Sequence, residues 1–402
     1  MPDGGSRTWA TSGAMCLTGH RDGPALAPQA PVGVRIAEAL LELERILLKQ
    51  GIAHNGLDAG LLLSSRAHHA GWKRQGTTSV NGTCRLLRTR DAWVALNLAR
   101  QTDIEAVPAL IEEDCGSQVW AAVARRAAKG HAAEFVARAQ LLGIPASVLG
   151  EAAKAAPLVR RSVGEPARVR NRPLVVDLSA MWAGPLCARI LGISGAQVVK
   201  VETWNRPDGA RFGPAPFYDW LHEGHCSVAV DFKTPKGQAQ LRSLLQRADV
   251  VIDSSRPRAL ESLGIRAVEF LSDRPGRTWV SITGYGRSPE GSQRVAFGDD
   301  AAVAGGLVAF DANGDPVFCA DAIADPLTGL FAGIAALQSM QDGGSHLLEV
   351  SMSGTAAWFA RRDAPFEAVD MDLALAAAKH GRAFPAAMPA RIMGSDNPAW
   401  IP

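Results

Sequence analysis

From Pro173 onward, short apolar runs rich in β-branched residues alternate with helical patterns. Parallel strands joined by crossover helices produce this alternation, because such strands are buried on both faces. The predicted strands cover residues 174–178, 197–201, 228–232, 250–253, 279–283 and 346–351. This half of the chain is therefore predicted to be an α/β domain with a doubly wound, Rossmann-like parallel sheet.

Helices are predicted between these strands, for example over residues 184–191 and 235–248. Thr234 suits an N-cap and Pro235 suits the first helical position. Doubly wound sheets bind ligands beyond the carboxyl ends of their strands. The loops expected to contact a ligand are 177–185, 253–258 and 283–287.

The pattern before Pro173 is different and predicts a smaller α+β domain. An amphipathic helix is expected over 36–49, and a strand pair over 84–98 turns at 88–91. Further helices are expected at 119–128 and 132–142, before a charged linker at 159–172. The predicted division of the chain is 1–75, 76–158, 171–360 and a tail at 361–402.

One weak internal repeat is visible. Residues 12–24 resemble residues 304–316, and each segment leads into an apolar helix. On the pattern alone, a chance similarity between glycine-rich turns is the simpler explanation.

Composition narrows the classes of function. The 402 residues include 42 basic and 40 acidic side chains, so the net charge of +2 gives no electrostatic footprint for nucleic acid or an anionic membrane. No apolar run approaches the ~20 residues of a membrane span, and residues 1–10 lack the pattern of a secretory signal. A cytoplasmic protein with a small-molecule partner is expected, and the scattered cysteines predict no metal site.

The candidate chemistry is carboxylate chemistry, because the chain has no G-x-S-x-G elbow, P-loop or dinucleotide fingerprint. Asp299, Asp300, Asp321 and Asp325 lie at strand ends or helix starts. Asp325 opens a helix of small residues predicted to run to Met340, where backbone N–H groups are free. Such a carboxylate is either a helix cap or a nucleophile, and on chemistry alone the cap is the ordinary interpretation.

Five blocks of sequence, in order, carry a resemblance to a known family. They are residues 174–185 with 195–202, 227–237, 248–257, 281–286 and 323–329. With these blocks the chain resembles the family III CoA-transferases, which include formyl-CoA transferase and α-methylacyl-CoA racemase. The resemblance implies a transferase that moves CoA from an acyl-CoA to a carboxylic acid acceptor.

The resemblance also implies roles for particular residues. Asp325 matches the aspartate that attacks the acyl-CoA thioester and passes through an anhydride and an aspartyl-CoA thioester. Helix-start N–H groups, or the amide of Gly82, are candidates to hold the oxyanions. Ala183 and Gly184 are implied to contact the pantetheine arm of CoA, and Lys233 and Arg256 its phosphates. The wall of the cleft is implied to include Thr283, Gly284 and Tyr285. Ordinary surface charges remain the alternative for the lysine and the arginine.

The domain order is rotated relative to the usual family member. Residues 76–158 resemble the small domain, and residues 1–75 resemble the end of a first large-domain copy, which explains the repeat. No Asp or Glu lies between Gly23 and Glu38, so that copy lacks the nucleophile and one active site per chain is expected. The family also implies a homodimer, with CoA entering as the acyl-CoA substrate and no metal.

Two alternatives stay open. A non-catalytic acyl-CoA-binding remnant or partner subunit is favoured by the short tail and by Thr203, His225 and Cys226 at positions where members often carry basic residues. A racemase is less favoured, because the family's G-H-D triplet reads Gly298-Asp299-Asp300 and the second base for an α-proton shuttle is missing.

Overall fold

A computed structural model of the chain describes residues 4–53, 56–363, 383–385 and 387–401. Much of the predicted tail at 361–402 therefore lies outside the described residues, as do residues 1–3 of the first predicted segment. Within the described part, no helix combines the length and apolar character that crossing a membrane requires.

The strands form a small sheet, a two-stranded ribbon and a large sheet. In chain order they are β1 (Cys84–Arg88), β2 (Trp93–Asn97), β3 (Ala146–Val148), β4 (Leu158–Ser162), β5 (Leu174–Asp177), β6 (Gln197–Glu202), β7 (Cys226–Ala229), β8 (Val250–Asp253), β9 (Thr278–Thr283), β10 (Ala309–Phe310), β11 (Pro316–Val317) and β12 (His346–Ser351).

Helices connect and cover these strands. They are α1 (Gly4–Thr11), α2 (Val32–Leu48), α3 (Ala59–Leu63), α4 (Ser65–Ala70), α5 (Gln101–Glu105), α6 (Val107–Ile111), α7 (Val119–Lys129), α8 (Ala132–Leu141), α9 (Ala183–Ile193), α10 (Ala215–His222), α11 (Pro235–Arg247), α12 (Pro257–Glu261), α13 (Ala267–Asp273), α14 (Gly298–Ala304), α15 (Ala324–Gln341), α16 (Met352–Ala360) and α17 (Asn397–Trp400). As predicted, Thr234 caps α11 by accepting a hydrogen bond from the Gly237 N–H (3.1 Å).

The large sheet has the strand order β4-β12-β9-β8-β5-β6-β7, and every pair in it is parallel except β4 with β12. After β5 the chain adds β6 and β7 on one side and then returns to place β8 on the other. The order therefore reverses between β5 and β8, which confirms the predicted doubly wound sheet. In sheets of this kind the ligand crevice lies outside the carboxyl ends of the strands at this point.

Two predicted elements are wrong in position. The predicted linker at 159–172 begins with an edge strand, β4, whose Arg160 and Arg161 pair with Asp342 and Glu349. Outward-pointing charges are typical of edge strands, but they hide the strand from a search for apolar runs. The strand predicted over 228–232 lies at Cys226–Ala229, since the chain turns toward α11 after it.

The tail segment covers the other edge of the sheet. The Asp396 carboxylate accepts from the Ser227 N–H of β7 (2.8 Å), and the Asn397 amide pairs with both backbone groups of Ala229 (2.8 Å each). Exposed backbone groups at an edge would otherwise be free to pair with another strand. These side chains therefore satisfy backbone N–H and carbonyl groups along the exposed edge of β7.

Separate cores stabilise the two parts of the fold. The small sheet, order β1-β2-β3, packs with α6, α7 and α8 around a core that includes Val94, Leu96 and Phe135. One face of the large sheet and the helices α9 and α15 share a second core with α1, α2 and α3. The first segment of the chain is thus packed into the large domain, on the side where α15 lies.

The contact between α15 and α9 depends on a glycine. A Cβ at Gly329 would lie 2.7 Å from the Ala183 carbonyl oxygen and 2.8 Å from the Leu186 Cβ. We expect Gly329→Val to lower the free energy of unfolding by about 1–3 kcal/mol through overpacking, as measured by urea titration. The matched Gly130→Val meets nothing closer than 3.6 Å and should change stability by less than about 0.5 kcal/mol; equal losses would contradict the packing argument.

Candidate functional site

The loops that follow β5 and β8 meet where the strand order reverses. The Ala180 N–H donates to Ser254 Oγ (3.2 Å), so the two loops are joined across the point where the strand order reverses. Beneath them Lys200 is buried, 2.9 Å from Asp208 and 3.6 Å from Asp177. Burial opposes the charge of Lys200, but these two carboxylates raise its pKa above the ordinary value.

This ion cluster fixes the loop that leads into α9. Lys200 also donates to the Ser179 carbonyl oxygen, and Asp208 accepts from the Met181 N–H (2.9 Å). Met181 has a φ of 73°, in the left-handed region that bulky residues seldom adopt. The strained turn places the start of α9, with Ala183 and Gly184, against the start of α15.

Asp325 is the second residue of α15 and is partly buried. Its carboxylate does not cap its own helix but faces the backbone N–H groups of Gly298 and Ala183, which lower its pKa against the larger effect of burial. Gly298 has to be a glycine here, because a Cβ would lie 2.5 Å from Asp325 Oδ2 and 2.3 Å from the Ala322 carbonyl oxygen. Three elements therefore converge on this carboxylate: α9, α14 and α15.

The loop before α15 is strained. Ala320 and Ala322 have φ values of 54° and 42°, which cost alanine about 1–2 kcal/mol each. Side chains from elsewhere hold both amides: Thr18 Oγ1 accepts from the Ala320 N–H (3.0 Å), and Asp299 Oδ1 from the Ala322 N–H (3.1 Å). Left-handed backbone maintained by outside contacts is a feature of functional sites.

The four predicted carboxylates come together. Asp299, Asp300 and Asp321 are buried around Asp325. Burial first, and the negative charge of the neighbouring carboxylates after it, raise the pKa of Asp299 to about 8. Burial likewise raises the pKa of Asp300 and that of Asp325 to about 7, although hydrogen bonds to Asp300 from Asn97 (3.1 Å) and the Phe297 N–H oppose the shift.

Arg66 joins this cluster, and the sequence did not reveal it. Its Nε and Nη2 atoms donate to the two carboxylate oxygens of Asp321 (2.8 and 2.5 Å), and its guanidinium carbon lies 4.5 Å from the ring centroid of Trp182. Its charge acts on Asp321, Asp325 and Asp299. A lone arginine in a short helix, far from these aspartates along the chain, carries no sequence signal for this role.

A group of arginines lies near the crevice. Burial and the charges of Arg258, Arg100 and Arg206 lower the pKa of Arg256. Arg100 is paired with Asp103 (2.5 Å), whereas within the described part of the chain no ion pair holds the other three. Arginines that repel one another and lack carboxylate partners are suited to bind phosphate groups.

The other predicted contact residues are more scattered. Lys233 is exposed at the start of α11, beyond β7, so roughly three strand spacings, or ~14 Å, separate its strand from β8. The Thr283 hydroxyl accepts from the Gly286 N–H (2.9 Å), and a Cβ at Gly284 would meet Ala296 at 2.8 Å.

Two of the predicted residues, Tyr285 and Gly82, contact or belong to the part of the chain that contains the small sheet. The Tyr285 ring is covered by Arg294, whose guanidinium carbon lies 3.6 Å from its centroid, and the Tyr285 hydroxyl is 3.4 Å from the Ala146 carbonyl oxygen. Tyr285 thus lies at the contact between the two domains. The suggestion that Gly82 supplies an oxyanion donor is wrong for this structure, because its N–H already donates to the Ser79 carbonyl oxygen (2.8 Å).

The arrangement can support nucleophilic chemistry by a carboxylate. Asp325 presents its carboxylate between two backbone N–H groups, and such donors can stabilise a negatively charged oxygen as well as a carboxylate. No group of three or more metal-ligating side chains suitable for a metal ion is found among the described residues.

Comparisons with known proteins agree on one family. Residues 173–395 match the model of a family described as CoA-transferase family III. A succinyl-CoA–D-citramalate CoA-transferase of Chloroflexus aurantiacus is 29% identical over 184 residues, covering 44% of this chain and 46% of the relative. A succinyl-CoA:glutarate CoA-transferase of Homo sapiens is 33% identical over 167 residues, covering 39% and 38%.

Among solved structures, a CAIB/BAIF family protein of Brucella suis is 26% identical, with a TM-score of 0.43 and coverage of 47% of this chain and 55% of that one. The matched part of the chain spans less than half the length of the two curated relatives.

The carboxylate cluster predicts how stability depends on pH. The folded chain holds the protons of Asp299, Asp300 and Asp325 up to pH 7–8, whereas the unfolded chain releases them near pH 4, so stability falls as pH rises across this window. We expect Asp300→Asn to reduce the fall between pH 4.5 and pH 8.5 by about 1–3 kcal/mol, as measured by urea unfolding.

The exposed Asp22→Asn should leave the pH dependence unchanged. A stability of the wild-type protein that rises over the same window would contradict the buried-carboxylate interpretation.

Proposed function

Because the chain belongs to CoA-transferase family III, we propose that it transfers CoA from an acyl-CoA thioester to a carboxylic acid, with Asp325 as the nucleophile. The observation that carries the proposal is the position of this carboxylate. It lies at the start of α15, beside the crevice of a doubly wound sheet, between the N–H groups of Gly298 and Ala183.

The reaction can be written with every atom accounted for. The Asp325 carboxylate attacks the thioester carbonyl carbon, the C–S bond breaks, and CoA leaves as a thiolate. The thiolate then attacks the aspartyl carbonyl carbon of the mixed anhydride, which releases the first carboxylate and forms an aspartyl-CoA thioester. The acceptor carboxylate attacks the carbonyl carbon of this thioester, which expels the CoA thiolate and forms a second mixed anhydride. The thiolate then attacks the acceptor's carbonyl carbon, and the Asp325 carboxylate leaves, so that acceptor-CoA is formed and Asp325 is regenerated.

The environment of Asp325 suits these steps. Burial raises the pKa of Asp325 to about 7. In roughly half of the molecules its carboxyl group is therefore ionised at neutral pH. The backbone N–H groups of Gly298 and Ala183 are rigid donors, and each tetrahedral intermediate puts negative charge on an oxygen that such donors can hold.

The arginine group is proposed to bind the phosphates of CoA. Arg206 follows β6 and Arg256 follows β8, on the two sides of the crevice, and Arg100 reaches it from the small domain. Lys233 remains a candidate for a more distant phosphate. The acyl-bearing end would then extend along Ala183 and Gly184 toward Asp325, past Thr283, Gly284 and Tyr285.

The substrate class follows from the relatives. Both curated relatives described above are named for succinyl-CoA as the donor and a dicarboxylic acid as the acceptor. We therefore propose succinyl-CoA as donor and a short dicarboxylate as acceptor. The homodimer and the cytoplasmic location predicted from the sequence stay predictions.

The division of the chain into two partial copies is also a proposal. Its support is the spacing of elements: α1 and α2 in the first segment are separated by residues 12–31, and α14 and α15 are separated by the nearly equal stretch 305–323, which includes β10 and β11. The distance along the chain from Pro24 to Val32 equals that from Pro316 to Ala324. On this correspondence Gly33 takes the position of Asp325, so the first copy has no nucleophile.

Covalent trapping tests the nucleophile. Incubation with succinyl-CoA and hydroxylamine should modify Asp325 in the wild-type protein, as seen by peptide mass spectrometry, and Asp325→Ala should lose both this modification and at least about a thousandfold of the transfer rate. The exposed Asp114→Ala should retain both. CoA binding without trapping by any of a panel of acyl-CoA thioesters would instead support the acyl-CoA-binding remnant.

A shortened substrate tests the phosphate site. Replacing both Arg206 and Arg256 by alanine should raise KM for succinyl-CoA about 10- to 100-fold, because charge-assisted hydrogen bonds to phosphate are lost. Activity with succinyl-pantetheine, which has no nucleotide, should stay at the wild-type value. Arg21→Ala, an exposed charge elsewhere, is the control; equal losses with both substrates would contradict this placement of the phosphates.

A further inference from the structure

We infer that Arg66 is a positioning residue for Asp325: by pairing with Asp321 it keeps the Asp325 carboxylate available as an anion. This inference rests on the proposed function of Asp325. It concerns a residue that lies outside the part of the chain matched by the family model, residues 173–395.

The geometry of Arg66 is that of a fixed, desolvated charge. Its two donors meet both oxygens of Asp321 in the bidentate arrangement that is strongest for arginine. The side chains of Arg66 and Asp321 are 11% and 0% exposed. The guanidinium also lies over Trp182, which is itself 1% exposed, so its position is set by packing as well as by charge.

This charge matters to Asp325 because of what else faces it. Asp321 lies in the loop before α15, Asp299 and Asp300 come from α14, and all three are negative when ionised; Arg66 comes from α4. In a desolvated site an uncompensated Asp321 carboxylate would strongly disfavour ionisation of its neighbour. Arg66 neutralises Asp321 and adds its own attraction for Asp325 and Asp299.

The test follows the ionisation of Asp325 itself. In protein labelled with 13C at the aspartate carboxyl groups, the infrared spectrum minus that of the matching Asp325→Asn variant isolates this side chain. We expect Arg66→Gln to raise the pH midpoint of Asp325 by at least one unit. The rate of single-turnover acylation at pH 7 should then fall about tenfold, recover above pH 8.5, and leave KM for the acyl-CoA unchanged.

Three further variants separate charge from structure. Arg66→Gln with Asp321→Asn removes both charges and should bring the midpoint back to within about half a unit of wild type. Arg66→Lys keeps the positive charge but loses the bidentate pair, so its midpoint should lie between those of wild type and Arg66→Gln. Arg35→Gln is the matched control and should leave the midpoint unchanged. Arg35 is as buried as Arg66 and comes from the same segment, but it donates to the carbonyl oxygens of Phe359 and Arg361, away from the site.

A poorly folded Arg66→Gln protein would not end the test. Asp321→Asn alone leaves Arg66 free to act on Asp325, so its midpoint should lie at least one unit below that of the double variant. Equal midpoints in these two proteins, or an unchanged midpoint in folded Arg66→Gln, would overturn the inference. Absence of acylation in the wild-type protein would overturn the proposed function instead, while the infrared midpoints would still decide the role of Arg66.

Discussion

The burial of several aspartates around one guanidinium is the constraint on which the rest of the site depends. Moving carboxylates out of water is unfavourable unless each finds donors or a cation. Asp321 is paired with Arg66, Asp325 with the N–H groups of Gly298 and Ala183, and Asp299 with that of Ala322. The close approach of α9, α14 and α15 is therefore needed to satisfy the carboxylates as well as to fill the core.

The contacts that hold the loop before α15 come largely from the first segment. Thr18 accepts from the Ala320 N–H, and Arg66 binds Asp321. Directly after this segment, the Gly76 carbonyl oxygen accepts from the Phe318 N–H (3.0 Å). The left-handed backbone conformations of Ala320 and Ala322 in this loop are costly, and the loop would not keep them without outside contacts. The first segment thus supports the loop that positions Asp325.

The sequence predicted the large sheet well for a physical reason. Its central strands are buried on both faces, so they appear as continuous apolar runs, and helix caps such as Thr234 mark the connections. The charged edge strand β4 lacks that pattern, and for this reason its residues are predicted from the sequence to be part of a linker. Asp325 is a candidate because of its family block and because of the small-residue helix that it opens, and its role stays a prediction.

Other parts of the site could not be predicted because they depend on contacts between distant segments. Arg66 and Asp321 are separated by 255 positions, and neither stands in a motif. Arg256 was predicted from its block, but its proximity to Arg100 arises only when the small domain packs against the large one. Long-range charge pairing follows from the tertiary fold, whereas hydrophobic periodicity and capping are local properties.

The site also has to reconcile two opposing requirements on a carboxylate nucleophile. Burial raises the basicity of Asp325, which favours attack on a thioester, but it lowers the fraction that is ionised and able to attack. A pKa close to the working pH is the usual compromise for a group of this kind, and the value of about 7 for Asp325 lies there. Backbone donors alone would not achieve this beside an unpaired Asp321, because a second buried anion would drive Asp325 toward its neutral form. The balance between Asp321 and Arg66 therefore bears directly on whether this carboxylate can act as a nucleophile.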